Sequence, residues 1–144
     1  MDKTDLWIIA DEWIKAFNTK DIEALLKLYH ENARHYSPRV EEELQMGTGG
    51  WLEGKEQLKL WWQGSFERLP QLSYELKDIT FGYSLDDVFG SCKSQIPKAR
   101  SRDTKMFIEY LRRVPGESDL YVMEYFRIQD PLIVESRVLR SWPV

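Results

Sequence analysis

The stretch QLSYELKDITFGY, residues 71–83, decides the architecture. It alternates as a strand does, but the parity of its apolar positions changes midway. Leu72, Tyr74 and Leu76 fall on even numbers, whereas Ile79, Phe81 and Tyr83 fall on odd ones. Successive strand side chains point to opposite faces, so a regular strand would turn half of these residues away from the core. One extra residue near Lys77–Asp78 returns them all to one side. Such a β-bulge bends the strand and increases its twist. The stretch therefore predicts a strongly curved sheet.

Upstream the period changes from two to that of a helix. Leu6, Ala10, Trp13, Ile14 and Phe17 recur at offsets of three and four, predicting a helix over 5–17 with Thr4 or Asp5 as its cap. NTKD (18–21) interrupts it, and a second helix carries Ile22, Leu25, Leu26 and Tyr29 on one stripe. A short extended piece follows ENA (31–33), and the glycines of VEEELQMGTGG (40–50) argue for a loop. Gly54 opens a third helix with Leu58, Trp61, Trp62, Phe66 and Leu69 on its apolar face. Downstream, KMFIEYLRRV, LYVMEYFRI and LIVESRVLRSW read as three strands, with turns at PGES (115–118) and QDP (129–131). Residues 84–104 carry no clear pattern and look like an insertion. Helices followed by a run of antiparallel strands make an α+β layout.

Composition narrows the function classes. The 144 residues are read as one domain, 1–144, long enough to bury about 68–70% of the surface of the unfolded chain. Six Trp, seven Tyr and six Phe can fill a core or line a cavity. A net charge of −4 argues against nucleic acid and anionic membranes as partners. The single Cys92 excludes an internal disulfide. The opening MDKTDLW lacks the features of a signal peptide, and no apolar run suits a membrane span; a soluble cytoplasmic protein is the expectation. His30 and His35 are five apart, which suits no common metal motif, so neither a metal nor another cofactor is expected.

Three segments, AFNTKDIEALLKLYHENARHYSP, GKEQLKLWWQ and YFRIQDPLIVESRV, resemble the nuclear transport factor 2-like superfamily, and within it the SnoaL-type polyketide cyclases and ketosteroid isomerases. The resemblance covers most of 10–82 and 106–142. It implies three N-terminal helices packed in a strongly curved, mostly antiparallel sheet: a cone-shaped, cystatin-like roll enclosing an apolar pocket.

The chemistry of those relatives does not transfer. Where the isomerases place a general-base Asp before a Pro, this chain has Ser37 before Pro38. Where they place an oxyanion-donating Tyr on the first helix, it has Trp13. Their second donor, a protonated strand Asp, matches Glu124. The cyclases' acid–base Asp on the last strand matches Val138, and a His on the strand before it matches Glu124. A serine hydroxyl without a base cannot abstract a carbon-bound proton, so steroid-type isomerisation is disfavoured.

The candidate catalytic residues are Glu124, His35 and Tyr36. The last two alternate on a short strand, so only one can face the pocket. The candidate pocket residues are Trp13, Phe17, Ser37, Trp62, Glu109 and Arg140. Glu109 enters because a four-residue PGES loop would set it opposite Glu124, where two carboxylates would share a proton. Arg140 enters as the cation that could pair with Glu124. The bland alternatives are a surface Glu124, a structural His35 and aromatic residues that serve only as core. If Glu124 points inward, Tyr121, Met123 and Tyr125 point outward with Leu139, an apolar face suited to a homodimer. The basic residues Lys93, Lys98, Arg100, Arg102 and Lys105 suit either a lid for an anionic ligand or a solvated loop. Three functions stay open: an enzyme of the cyclase, isomerase or dehydratase kind, a non-catalytic binder of an apolar or aromatic small molecule, and a dimeric interaction domain. A ligand-binding domain, with catalysis open, ranks first.

Overall fold

The computed structural model describes residues 2–82 and 103–144. Tyr83, Lys93, Lys98, Arg100 and Arg102 lie outside the described residues. Helix α1 (Lys3–Thr19) starts at a reciprocal cap, in which Asp2 and Asp5 each accept the other's backbone N–H at 3.0 Å. Lys20 ends it in the left-handed region. Asp21 then caps α2 (Ile22–Lys27), its carboxylate accepting from Ala24 N–H at 3.0 Å.

Strand β1 (Tyr29–Tyr36) leads to α3 (Pro38–Leu44), β2 (Trp51–Glu53) and α4 (Lys55–Arg68). Four further strands follow: β3 (Ser73–Gly82), β4 (Thr104–Arg113), β5 (Leu120–Gln129) and β6 (Leu132–Pro143). The sheet order is β2-β1-β6-β5-β4-β3, antiparallel except where β1 runs parallel to β6. The helices pack on its concave side.

The parity slip in 71–83 is a bulge. Leu76 pairs with Tyr110 and Asp78 with Glu109, leaving Lys77 as the extra residue. A second irregularity lies in β6, where Met123 faces Arg140 and Glu124 faces Val138, so Leu139 is extra. Val134 is a third extra residue, lying between the Arg127–Glu135 and Ile128–Ile133 pairs, and these bulges on the strands either side of β4–β5 curl the sheet.

Two local expectations change. The run 40–50 is not all loop: its first part belongs to α3. Ser37 supplies the cap and Pro38 a preset first-turn φ, while Val40 anchors the helix in the core. The glycines come after it. Gly50, at φ +97°, is required, since a Cβ there would sit 2.8 Å from the Ser37 carbonyl and from the Tyr36 ring. Tyr29, read as helical, opens β1 instead, because α2 stops at Lys27.

The core is aromatic. Trp13, 1% exposed, lies 4.5 Å from Phe17, 5.2 Å from Phe126 and 5.6 Å from Tyr110 between ring centroids. Tyr74 stacks on Phe17 at 4.7 Å. Its backbone is held by Asn18, whose amide accepts from Tyr74 N–H at 2.7 Å and donates to its carbonyl at 2.9 Å. That pair ties α1 to the strand carrying the bulge.

Candidate functional site

Between α1, α4 and the concave sheet lies a cavity of about 100 Å³, partly open to solvent. One water needs roughly 10–15 Å³ of such space, so the cavity has room for several waters or a small organic group. Trp13, Phe17, Trp61, Trp62 and Val138 supply apolar wall, with His35, Ser37, Tyr110 and Glu124 among the polar groups.

Glu124 is 2% exposed. Inward residues of β5 alternate as Val122, Glu124, Phe126 and Ile128, so the carboxyl is aimed into the cone by strand geometry alone. Tyr110, one inward position beyond its cross-strand partner Ile108, donates its hydroxyl to Glu124 Oε1 at 2.7 Å. Oε2 is buried without a hydrogen-bond partner among the described residues. Burial pushes the carboxyl up to about 8, although the Tyr110 hydroxyl pulls the other way. Desolvation wins because one hydrogen bond replaces little of the water a carboxylate loses. That shift favours the protonated form of Glu124 near neutral pH. The same burial, with Glu124 beside it, raises Tyr110 well above the usual phenol range.

His35, not Tyr36, faces the cavity. Its ring is 3% exposed and packs on Trp62 at 5.1 Å, while Tyr36 lies outside against Trp51 at 5.4 Å. Tyr36 is thus withdrawn from the candidate catalytic set. Desolvation lowers His35 to about 3, outweighing an opposing pull from the Ser136 backbone, so the ring is neutral.

A buried chain of hydrogen bonds leads to it. Trp13 Nε1–H donates to the Tyr29 hydroxyl at 3.1 Å, Tyr29 lies 2.8 Å from Ser136 Oγ, and Ser136 Oγ lies 2.7 Å from His35 Nδ1. Indole nitrogen only donates. We assign the Tyr29 proton to Ser136 and the Ser136 proton to Nδ1, one of the two directions in which the chain can run. Among the described residues this assignment gives each hydroxyl proton a partner and leaves His35 with its proton on Nε2. Burial thus favours the neutral forms of both Glu124 and His35.

Three pocket positions need correction or comment. Glu109 does not oppose Glu124: it pairs with Met123, and Ile108 takes the facing place. β4 ends at Arg113 and β5 begins at Leu120, so six residues rather than four connect them; the register is one residue off the expected one, and a one-residue slip sends the side chain to the other face. Arg140 does not reach Glu124 either. The Leu139 bulge displaces it, and it is exposed with its guanidinium 5.3 Å over Trp142. Ser37 lines the cavity, but its hydroxyl is engaged as the α3 cap, accepting from Arg39 N–H at 3.3 Å.

Sequence reasoning missed Tyr110, Ser136 and Arg112. The signal was available for two of them, since Met106, Ile108, Tyr110 and Arg112 share parity on β4 and are buried together.

A curved, unclosed sheet wrapped on helices around an aromatic cavity defines the class, the nuclear transport factor 2-like cone. Residues 10–136 match the family model described as SnoaL-like domain, so the chain belongs to the SnoaL-like domain family. No curated protein matches. Among solved structures, it is similar to a SnoaL-like protein of unknown function from Burkholderia thailandensis, at 20% identity and a TM-score of 0.74, covering 98% of this chain and 97% of that one. A candidate polyketide cyclase from Sinorhizobium meliloti shares 16% identity with a TM-score of 0.61, covering 96% and 99%. A candidate ketosteroid isomerase from Kribbella flavida shares 10% identity with a TM-score of 0.61, covering 98% and 82%. At these identities the likeness is one of fold. Among the described residues no cluster of His, Cys, Asp or Glu has a metal-holding arrangement, and no helix is long and apolar enough to cross a membrane.

Proposed function

We propose that the protein binds a small, largely apolar or aromatic molecule in the cone and holds its carbonyl oxygen with the neutral carboxyl of Glu124. The observation carrying this reading is a buried acid with one oxygen satisfied by Tyr110 and the other unpartnered beside a cavity. A buried donor left without a partner costs roughly 1–3 kcal/mol, and a ligand carbonyl removes that cost. His35 Nε2–H is the second donor. Calorimetric titration with acetophenone is expected to show saturable 1:1 binding, about tenfold weaker in Glu124→Leu, which keeps bulk and removes the donor. Absence of saturable binding at millimolar ketone would overturn the reading.

A second reading, catalysis by Glu124 as general acid, is favoured by the same proton, since a carboxyl near 8 still carries it at neutral pH. Turnover would then fall as pH rises past 8 and vanish in Glu124→Gln, with ligand binding retained.

We also place a homodimer contact on the outer sheet face, where Tyr121, Met123 and Leu139 emerge and Tyr121 meets Trp142 at 5.2 Å. Tyr125 is less available, being covered by Phe107 and by Arg137, whose guanidinium lies 4.5 Å from its ring. Sedimentation should give a dimer at micromolar concentration; a monomer there would reject the contact.

A further inference from the structure

The cavity has a charged end that the Glu124 reading leaves unused. The inward face of β4 runs Met106, Ile108, Tyr110, Arg112, so it changes from apolar to hydroxyl to guanidinium toward one end of the cone. Arg112 is 7% exposed and lines the cavity. Its single ion pair among the described residues is Nη1 to Glu117 Oε1 at 3.4 Å, with the Glu117 side chain 48% exposed. An exposed carboxylate at that distance is a weak partner, whereas a nearly buried guanidinium carries a large desolvation cost. Among the described residues the fork therefore gains little charge compensation from the protein itself.

The surroundings have the same sign. Arg39 and Arg68 also line the cavity. Arg68 is bonded to Glu43, while Arg39 has no side-chain ion pair among the described residues. Both Arg112 and Arg39 bear electrostatically on Tyr74, whose ring is 4.4 Å from that of Tyr110. With Glu124 and His35 neutral, the lining has three guanidinium groups against one ionised carboxylate, Glu43. The whole chain has net charge −4, so this is a local field, focused by low-dielectric walls.

We propose that the ligand is an aromatic or alicyclic keto acid: its ring fills the apolar wall, its carbonyl meets Glu124, and its carboxylate is bound by Arg112 with Arg39 beside it. This rests on the reading of Glu124 given above. Planar guanidinium matches the two oxygens of a carboxylate in a bidentate pair, which fixes orientation as well as adding affinity. Arg112 lies four residues along β4 from Ile108, the partner of Glu124. At about 3.4 Å per residue the two levels are roughly 13–14 Å apart along the strand.

Two probes of one shape separate the claims: 4-acetylbenzoate and its neutral analogue 4-acetylbenzamide, titrated calorimetrically at pH 7. In the wild-type protein the carboxylate is expected to bind about ten- to a hundredfold tighter than the amide. Arg112→Gln should abolish that preference, and Arg112→Lys should keep part of it. Equal affinities in the wild-type protein, with both probes still weakened in Glu124→Leu, would overturn the anion site and leave the carbonyl reading standing. Failure of both probes to bind would overturn both. The wild-type comparison decides the matter even if Arg112→Gln does not fold.

Discussion

Glu124→Gln should abolish the loss of stability that the wild-type protein suffers as pH rises from about 6.5 to 8. The folded carboxyl titrates near 8 and an ordinary Glu near 4.5, so between those values the folded state holds a proton that the unfolded state has released. Stability then falls as pH rises through the window and levels off above it. At 1.36 kcal/mol per pH unit the full effect is roughly 4–5 kcal/mol. His35 acts in the opposite sense. Its folded value is near 3 against 6.5, so it adds stability as pH rises from about 3 to 6.5. The two contributions cancel between 4.5 and 6.5 and leave a plateau with a fall on either side. The other titratable groups that feel Glu124 are Tyr29, Tyr74 and Tyr110; all three phenols are pushed above their usual range, so none titrates in the window. In urea unfolding the Gln variant should match the wild type at pH 4.5 within about 1 kcal/mol and exceed it by several kcal/mol at pH 9. A loss of about 3–5 kcal/mol at pH 7 would instead mean that a charged, paired Glu124 had been removed.

Ser136→Ala should be costly for a site with no apolar bulk to lose. Ser136 is 0% exposed, and its hydroxyl is the shared partner of Tyr29 and His35. Its removal leaves a phenol proton and an imidazole nitrogen unpaired in the core. At about 1–3 kcal/mol for each orphan, the expected loss is roughly 2–5 kcal/mol. A merely structural serine would give that loss alone. The hydrogen-bond chain predicts more: nitrogen-15 spectra should show the wild-type His35 proton on Nε2 and a mixed or reversed tautomer in Ser136→Ala. The same tautomer in both proteins, with stability unchanged, would remove the chain from the account.

The sequence was most informative where a single pattern had a single geometric meaning. The parity slip in 71–83 had to be an extra residue, and Lys77 is that residue. The apolar stripes of the long helices returned Trp13, Phe17, Trp61, Trp62 and Phe66 to the core. Short elements were less legible. In α3 the run VEEEL competes with following glycines, and the helix is decided by Ser37 and Pro38 before it. Site residues that depend on register were the least legible. Glu109 was lost to one residue in the β4–β5 connection, and Arg140 to the Leu139 bulge, which no parity change in the sequence announces as plainly. Ser136 escaped notice because its role comes from a parallel pairing with β1, 101 residues away from His35. Glu124 was legible because its neighbours Val122 and Phe126 alternate cleanly with outward residues.

The central claim is that Glu124 is a neutral hydrogen-bond donor at physiological pH. An infrared difference spectrum between the wild-type protein and Glu124→Gln at pH 7 tests it most directly. The account predicts a protonated-carboxyl band in the wild type that disappears as pH is raised past about 8, replaced by a carboxylate band. A carboxylate band at pH 7 with no protonated component would contradict it.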